Sequence, residues 1–433
     1  MRDQIDHALK ETDVTVEQID TLVIGAGQAG VAMCEHLSRL EIPYLVLERQ
    51  RIAERWRSER WDSLVCNGPA WHDRFPGLEF AGHSPDAFVP KEAVAQYLEA
   101  YARQFNAPIR TGVEVTSVER NVGRPGFTVS TSKGSIEASR VVVATGPFQR
   151  PVIPPILPQD EPIQQIHSSQ YRNPAQLPEG SVLVVGAGSS GVQIAAELQA
   201  SGRKVYLSVG PHDRPPRAYR DRDFCWWLGV LGQWDASVMQ PGREHVTIAV
   251  SGAHGGHTVD FRQLAAQGIC LVGMTRDYHN GVISFQPDLV GNVARGDADY
   301  LSLLDAADAY VQRNGLDLPE EPQARKFLPD PECLSQPLTE LDLHAAGVNA
   351  IVWATGFSVD YSWLHVNAFD AAGKPQHQRG ISTEPGVYFI GLPWLSRRGS
   401  AFIWGVWHDA KSIADHIATQ RQYAAYRKVA AAH

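Results

Sequence analysis

Cysteine is scarce and scattered: five residues in 433 (Cys34, Cys66, Cys225, Cys270 and Cys333), an odd number with no Cys-x-x-Cys. That spacing offers neither a zinc knuckle nor a redox-active dithiol and fits reduced thiols. Long apolar runs are missing as well. The most apolar short stretch, around Phe224 to Gly232, falls far short of the roughly 20 residues that span a bilayer. The opening MRDQIDHALKETDVTVEQID is polar and acidic and has no apolar stretch to serve as a signal peptide, so a cytoplasmic protein is expected. No Lys/Arg run occurs, and the net charge of −9 argues against nucleic-acid or membrane-surface binding. His254-Gly-Gly-His257 lacks a Cys or acidic partner at useful spacing and reads as a loop, so no metal is expected.

What is present is an ordinary globular composition, 43% hydrophobic and 20% charged, over a length that suits about two domains. Thr21-Leu-Val-Ile-Gly25-Ala-Gly27-Gln28-Ala29-Gly30 precedes a helical pattern through Leu40, then Tyr44-Leu-Val-Leu-Glu48. This is a strand, a glycine turn, a helix and a second strand ending in an acid, the context that gives GxGxxG its meaning. The first glycine permits a tight turn, the second lets backbone N–H groups approach a pyrophosphate, and the third lets helix pack on strand. The helix N-terminus faces the phosphates, and Glu48 is placed to accept from ribose hydroxyls.

The pattern recurs. Val182-Leu-Val-Val-Gly186-Ala-Gly188-Ser189-Ser190-Gly191 leads into a helix to about Ala200 and a strand Lys204-Val-Tyr-Leu-Ser208. Here the strand ends in Ser208 and not in an acid, and His212-Asp-Arg214-Pro-Pro-Arg217-Ala-Tyr-Arg220 follows with three cations. Arginine suits phosphate because its planar fork grips two oxygens. FAD is therefore assigned to the first loop and NADPH to the second, with Arg214 and Arg217 as phosphate contacts; a solvated loop is the alternative. Two apolar strands end alike in Ala-Thr145-Gly146 and Ala-Thr355-Gly356, where the backbone can turn beside a ligand. Alternating segments at 107–118 and 126–132 predict an antiparallel meander. The late second Ala-Thr-Gly, with no glycine turn of its own, favours nesting over tandem modules. The boundaries are 1–160 for the first part of the FAD domain, 161–340 for the NADP domain and 341–433 for the rest of the FAD domain. Asp409 to about Ala431 reads as a terminal helix.

With these motifs in order, the chain resembles the class B flavin monooxygenases: the flavin-containing monooxygenases, the N-hydroxylases and the Baeyer-Villiger enzymes. The resemblance also rests on Trp56, on Asn67-Gly-Pro and on His167-x-x-x-Tyr171. It implies an α/β fold of two Rossmann-like dinucleotide-binding domains (the three-layer ββα type), with the NADP domain inserted into the FAD domain. It places Trp56 near the flavin and Asn67 at its reactive face, where a neutral carboxamide can hydrogen-bond a peroxide without giving up a proton; Asn67 holding its own turn is the alternative. His72 is a second candidate catalytic group. Arg49, Val115, Gly391, Trp407 and Asp409 join the implied cofactor contacts, although Asp409 also reads as a helix N-cap. The last helix is implied to point its N-terminus at the flavin. Trp394, Trp404 and Trp407, or Trp226 and Trp227, suit an aromatic pocket or core packing. The family fingerprint before His167 is broken, with Glu161 and Ile163 where Phe and Gly belong. His167 itself fits a linker as well as a cofactor contact.

The implied activity is NADPH-driven formation of a C4a-hydroperoxyflavin that gives one oxygen atom to a small organic substrate at N, S or C. An NAD(P)H oxidase or reductase, or Baeyer-Villiger oxygenation of a ketone, are the alternatives. The partners are then that substrate and O2, and the oligomeric state, a homodimer included, stays open.

Overall fold

The computed structural model describes residues 16–158, 160–237 and 247–426. β1 (Glu17–Ile24) forms where Leu22, Val23 and Ile24 are buried on both faces of a sheet, the pattern of a parallel central strand. It turns at Gly25 (φ +107°) into α1 (Gln28–Arg39), and β2 (Tyr44–Glu48) returns parallel to β1. After α2 (Glu54–Ser58) and α3 (Lys91–Gln104), β3 (Ile109–Thr111) extends the parallel edge beside β2. β4 (Val115–Arg120), β5 (Phe127–Thr131) and β6 (Gly134–Val143) then form an antiparallel meander, with β6 lying parallel to β1. The alternating segment over 107–118, expected in the meander, is divided at Gly112 (φ +68°): β3 before it joins the parallel edge, and only β4 after it joins the meander.

The second sheet is built the same way. β7 (Arg150–Pro151) leads across to β8 (Gln164–His167), and β9 (Ser181–Val185), α4 (Ser189–Ala200) and β10 (Val205–Ser208) repeat the strand–turn–helix–strand pattern about Gly186 (φ +106°). The strand Val348–Trp353 lies parallel between β9 and β8, and Cys270–Val272 closes the other edge. The expected boundary at 340/341 therefore moves. The second Ala-Thr-Gly ends a strand of the second sheet, and the chain leaves that sheet only after Trp353. Phe357–Ser358 pairs antiparallel with β7, and Val387–Phe389 then lies parallel to β6 in the first sheet.

Each Ala-Thr-Gly has a packing role. A Cβ on Gly25 would stand 2.7 Å from the Ala144 carbonyl oxygen, and one on Gly186 2.5 Å from that of Ala354. The third glycines are tighter. A Cβ on Gly30 would lie 1.9 Å from the Gly25 carbonyl oxygen, and one on Gly191 1.8 Å from that of Gly186.

The terminal helix runs Ile403–Ala425, six residues earlier than expected; positions 427–431 of the expected helix lie outside the described residues. Its N-cap is Phe402, so Asp409 is an interior residue and not the cap. The helix packs against α1, where Trp407 Nε1 donates to Glu35 at 2.5 Å and His36 Nε2 meets the Trp407 carbonyl at 3.1 Å. No described helix is long and apolar enough to cross a membrane.

Replacing Gly191 with Ala is expected to cost about 1–3 kcal/mol through helix–strand overpacking; an unchanged urea midpoint would show that helix and strand can separate freely. Burial also holds the His212 ring down to about 4, from an ordinary value near 6.5, and lowers His36. The unfolded chain takes up those protons first, so this stability is present above pH 6.5 and is lost as pH falls towards 4. A melting temperature that is flat over that window would count against buried neutral imidazoles.

Candidate active site between the two glycine loops

A single cavity of about 1150 Å³ reaches both glycine loops. On the first side it is lined by Gly25, Gly27, Gln28 and Ala29, by Glu48 and Arg49, by Val115, and by Thr145 and Gly146. Ser189 and Ser190 at the start of α4 line the opposite side. Gly30 and Gly191 do not, because they face their own strands; Gly186 and Gly188 are likewise absent from the wall. Glu48 accepts from Ala26 N at 2.8 Å and Gln50 N at 2.9 Å, and each carboxylate oxygen keeps further lone-pair capacity towards the cavity. Trp56 lines the wall, its indole N–H donates to Gln28 at 3.2 Å, and its ring packs against both major cores.

Asn67, Gly391, Trp394, Phe402 and Ile403 also line the cavity, with Gly391 and the start of the terminal helix beside the first loop: a Cβ on Gly391 would stand 2.9 Å from Ala29 Cβ, and Gln28 Nε2 donates to Ala401 O at 2.8 Å. The terminal helix begins there with no side-chain cap, so its N-terminal N–H groups and partial positive charge open on the cavity. Asn67 does not hold its own turn. Its Oδ1 accepts from Gln193 Nε2 at 2.9 Å and its main-chain carbonyl from Arg217 Nη1 at 2.5 Å. Asp73 holds the turn instead, taking Gly68 N at 3.0 Å.

Several expected site residues lie elsewhere. His72 is not on the wall. It sits behind Asp73, bonded to it at 2.8 Å and packed among Trp71, Trp234 and Trp404 at 5.2–5.4 Å, so a direct catalytic contact is not seen. Arg214 is buried and spends its fork on Asp297, at 2.6 and 3.1 Å. Arg217 is buried against Asp223, at 2.7 Å twice, and Arg220 binds Asp308 at 2.6 Å. None of these arginines lines the cavity, and each guanidinium is engaged by an aspartate, so the preference for NADPH over NADH drawn from them loses that support. Ser208 is spent too, on Gly273 O at 2.9 Å.

Thr355 Oγ1 donates to the Val152 carbonyl and the Gly356 carbonyl accepts from His167 Nε2 at 2.9 Å, so Thr355, Gly356 and His167 fasten the junction between β7, β8 and Phe357–Ser358. Tyr171 donates to Glu197 on α4 at 2.7 Å. Asp409 is buried behind the wall, its carboxyl pushed up by burial and bonded to Ser396. Trp407 belongs to the Glu35 contact, Trp404 to the Trp234 packing, and Trp226 and Trp227 to each other and to Tyr310. Of the tryptophans expected to meet substrate, Trp394 alone lines the cavity, with a positive φ of 56° that is rare for a bulky residue and gathers at functional sites. His254 and His257 lie on an exposed loop.

Other wall residues were not anticipated. Gln193 lies on α4 within one turn of Ser190, a spacing that puts both on one face. Arg60 lies between the Trp56 and Phe148 rings, 5.8 and 5.6 Å from their centroids, and burial pushes its guanidinium down to about 10. Among the described residues no carboxylate forms an ion pair with it. Phe224 and Leu228, on one short helix, add apolar wall beside Ile248 and Leu303.

Known proteins share this architecture. The pyridine nucleotide-disulphide oxidoreductase family model matches residues 22–222. A CzcO-like oxidoreductase of Geobacillus kaustophilus is 36% identical over 404 residues, 92% of this chain and 98% of that protein. Arabidopsis thaliana has a relative, named Probable indole-3-pyruvate monooxygenase YUCCA4, that is 29% identical over 92% of this chain and 90% of its own. The solved flavin-containing monooxygenase of Stenotrophomonas maltophilia superposes with a TM-score of 0.65 at 19% identity, covering 94% of this chain and all of that one, which shows a shared fold.

Because Arg217 anchors Asn67 and not a phosphate, Arg217→Ala is expected to cost about 3–5 kcal/mol by stranding Asp223. The NADPH-to-NADH preference should stay the same. A changed preference with unchanged denaturation would restore Arg217 to the phosphate.

Proposed function

Since the chain belongs to the CzcO-like oxidoreductases of the pyridine nucleotide-disulphide oxidoreductase family, we propose that it is an FAD-dependent, NAD(P)H-consuming monooxygenase. It transfers one atom of O2 to a small organic substrate at the Asn67 end of the cavity, with the nicotinamide-binding unit inserted into the FAD-binding one. The observation that carries this reading is the single cavity lined by residues of both glycine loops, by Asn67 and by the start of a helix with no side-chain cap.

The residues present fit the groups that the family implies. At Gly25 and Gly186 the backbone takes conformations that only glycine adopts easily, and the N-termini of α1 and α4 face the cavity where pyrophosphates would lie. Glu48 would hold a ribose of FAD, Gln28 and Trp56 would flank it, and Ser189 and Ser190 would meet NAD(P)H. A flavin and a nicotinamide held there would supply hydride transfer and reaction with O2, chemistry no side chain supplies. The protein's share is positional. Asn67 presents a neutral amide donor, the N-terminus of the terminal helix favours negative charge in the same cavity, and the apolar lining of Phe224, Leu228, Ile248, Leu303 and Phe402 disfavours water there. With Trp394 that wall suits a lipophilic or aromatic substrate, in keeping with the indole substrate named for the plant relative.

A disulfide reductase, the other activity in the family's name, is disfavoured. All five cysteines are free, and the one on the cavity wall, Cys66, has its thiol pushed up by burial. In the test, FAD-loaded protein is supplied with NADPH or NADH, ¹⁸O2 and a panel of amines, sulfides, indoles and ketones. Label is expected in one product class, with little H2O2. Asn67→Leu should cut product formation by about 10²-fold, as loss of one oriented donor does, while nicotinamide oxidation continues as H2O2. Steady nicotinamide consumption with no labelled product from any class would replace this reading with an oxidase.

A further inference from the structure

Gln193 links the helix of the second glycine loop to Asn67. It stands on α4 within one turn of Ser189 and Ser190, and all three line the wall. Its amide nitrogen carries two hydrogens and meets two oxygens, Val250 O at 2.8 Å and Asn67 Oδ1 at 2.9 Å. A backbone carbonyl can only accept, so the Val250 contact decides which end of Gln193 points inward. The second contact then turns the Asn67 oxygen towards α4 and its NH2 group away. The Asn67 main chain is held separately. Arg217 takes its carbonyl at 2.5 Å, and Arg217 is itself pinned by Asp223 and lies 4.7 and 4.4 Å from the Phe88 and Phe224 ring centroids. The backbone is clamped, and Gln193 sets the side chain.

Resting on the assignment of the two loops to FAD and a nicotinamide dinucleotide, we propose that Gln193 is a positioning residue. Through it, a dinucleotide seated on the N-terminus of α4 orients the Asn67 carboxamide at the reacting end. Phosphate oxygens bound at Ser189 and Ser190 order the first turn of α4, and Gln193 is carried on the next. Any shift of that turn is delivered to Asn67 through one hydrogen bond, while Arg217 keeps the Asn67 backbone still. The coupling is reciprocal, so the state of Asn67 feeds back on dinucleotide affinity.

FAD-loaded protein is titrated with NADP⁺, which binds without reducing the flavin, while the flavin absorbance is recorded. Wild type should show a band shift on binding. Gln193→Leu should bind NADP⁺ with nearly the same Kd but lose most of the shift. It should also raise H2O2 released per nicotinamide oxidised by about fivefold or more, the low end of ordinary coupling. Gln193→Glu keeps the shape and loses the donor when ionised. It should behave like the Leu variant at neutral pH and recover towards wild type as the acid protonates, while the Leu variant stays flat. In Asn67→Ala the Gln193→Leu change should add nothing.

A wild-type-like band shift and H2O2 ratio in both variants, identical pH profiles for Glu and Leu, or additive effects with Asn67→Ala would each overturn the proposal. So would dinucleotide binding to wild type with no spectral response. If wild type labels no product, oxygen transfer fails, but the band shift and its pH dependence still decide the coupling.

Discussion

Two helices can present their N-termini to one cavity because each touches its own strand backbone to backbone. At Gly30 and Gly191 a single added carbon would sit 1.9 and 1.8 Å from a carbonyl oxygen, far inside any van der Waals contact. That closeness aims α1 and α4 along the ends of β1 and β9, where the dipoles and free N–H groups have their greatest effect on phosphate. The first glycine of each loop makes a matching allowance on the other side, admitting the carbonyl of Ala144 or Ala354 from the neighbouring strand. The two Ala-Thr-Gly segments are therefore part of the same device as the two glycine loops. Each crevice needs both.

What joins the crevices is a mixture of apolar packing, strand pairing and buried polar contacts. Trp56 packs into the cores of both units, β7 pairs with Phe357–Ser358, and Arg217 and Gln193 reach from the second unit to Asn67 in the first. Buried ion pairs such as Arg217–Asp223 contribute little net stability against an apolar replacement, since desolvation offsets the attraction. Their value here is geometric. They hold a main-chain carbonyl at one point on the wall, which a sliding apolar contact would not do, and leave the Asn67 side chain to a single partner.

The parts of the fold legible in the sequence are those where cause and effect are neighbours in the chain. β1–α1–β2 and β9–α4–β10 fall close to where the apolar runs and glycines place them, because turn, helix start and strand packing are all specified within about thirty residues. Features that depend on a distant partner were misplaced. The strand Val348–Trp353 carries no mark of which sheet it joins, since its apolar run would satisfy either. The terminal helix looked as though it began at Asp409 because an acid is a good cap, yet the chain turns helical at Ile403 over the cavity and buries that acid. Asn67 was identifiable as a site residue. Its partner Gln193, 126 positions away, could be suspected only from sharing a helical face with the second loop.

The arginines teach the sharpest form of this point. A cation beside a phosphate-binding loop in sequence is available to phosphate only if nothing in the fold has already claimed it. Arg214 is claimed by Asp297, 83 positions on, and Arg220 by Asp308, 88 positions on. Arg60 stands near neither glycine loop in the sequence, yet it lies on the cavity wall between two aromatic faces and without a carboxylate partner among the described residues. A guanidinium left in that state is costly unless an anion shares the space, and the cavity between the loops is where dinucleotide phosphates would pass. Arg60 is thus one wall cation placed to serve a ligand, while Arg214, Arg217 and Arg220 are committed to aspartates and hold the structure around the cavity. Position in the sequence does not separate the two kinds of arginine, and only the pairing of side chains tells them apart.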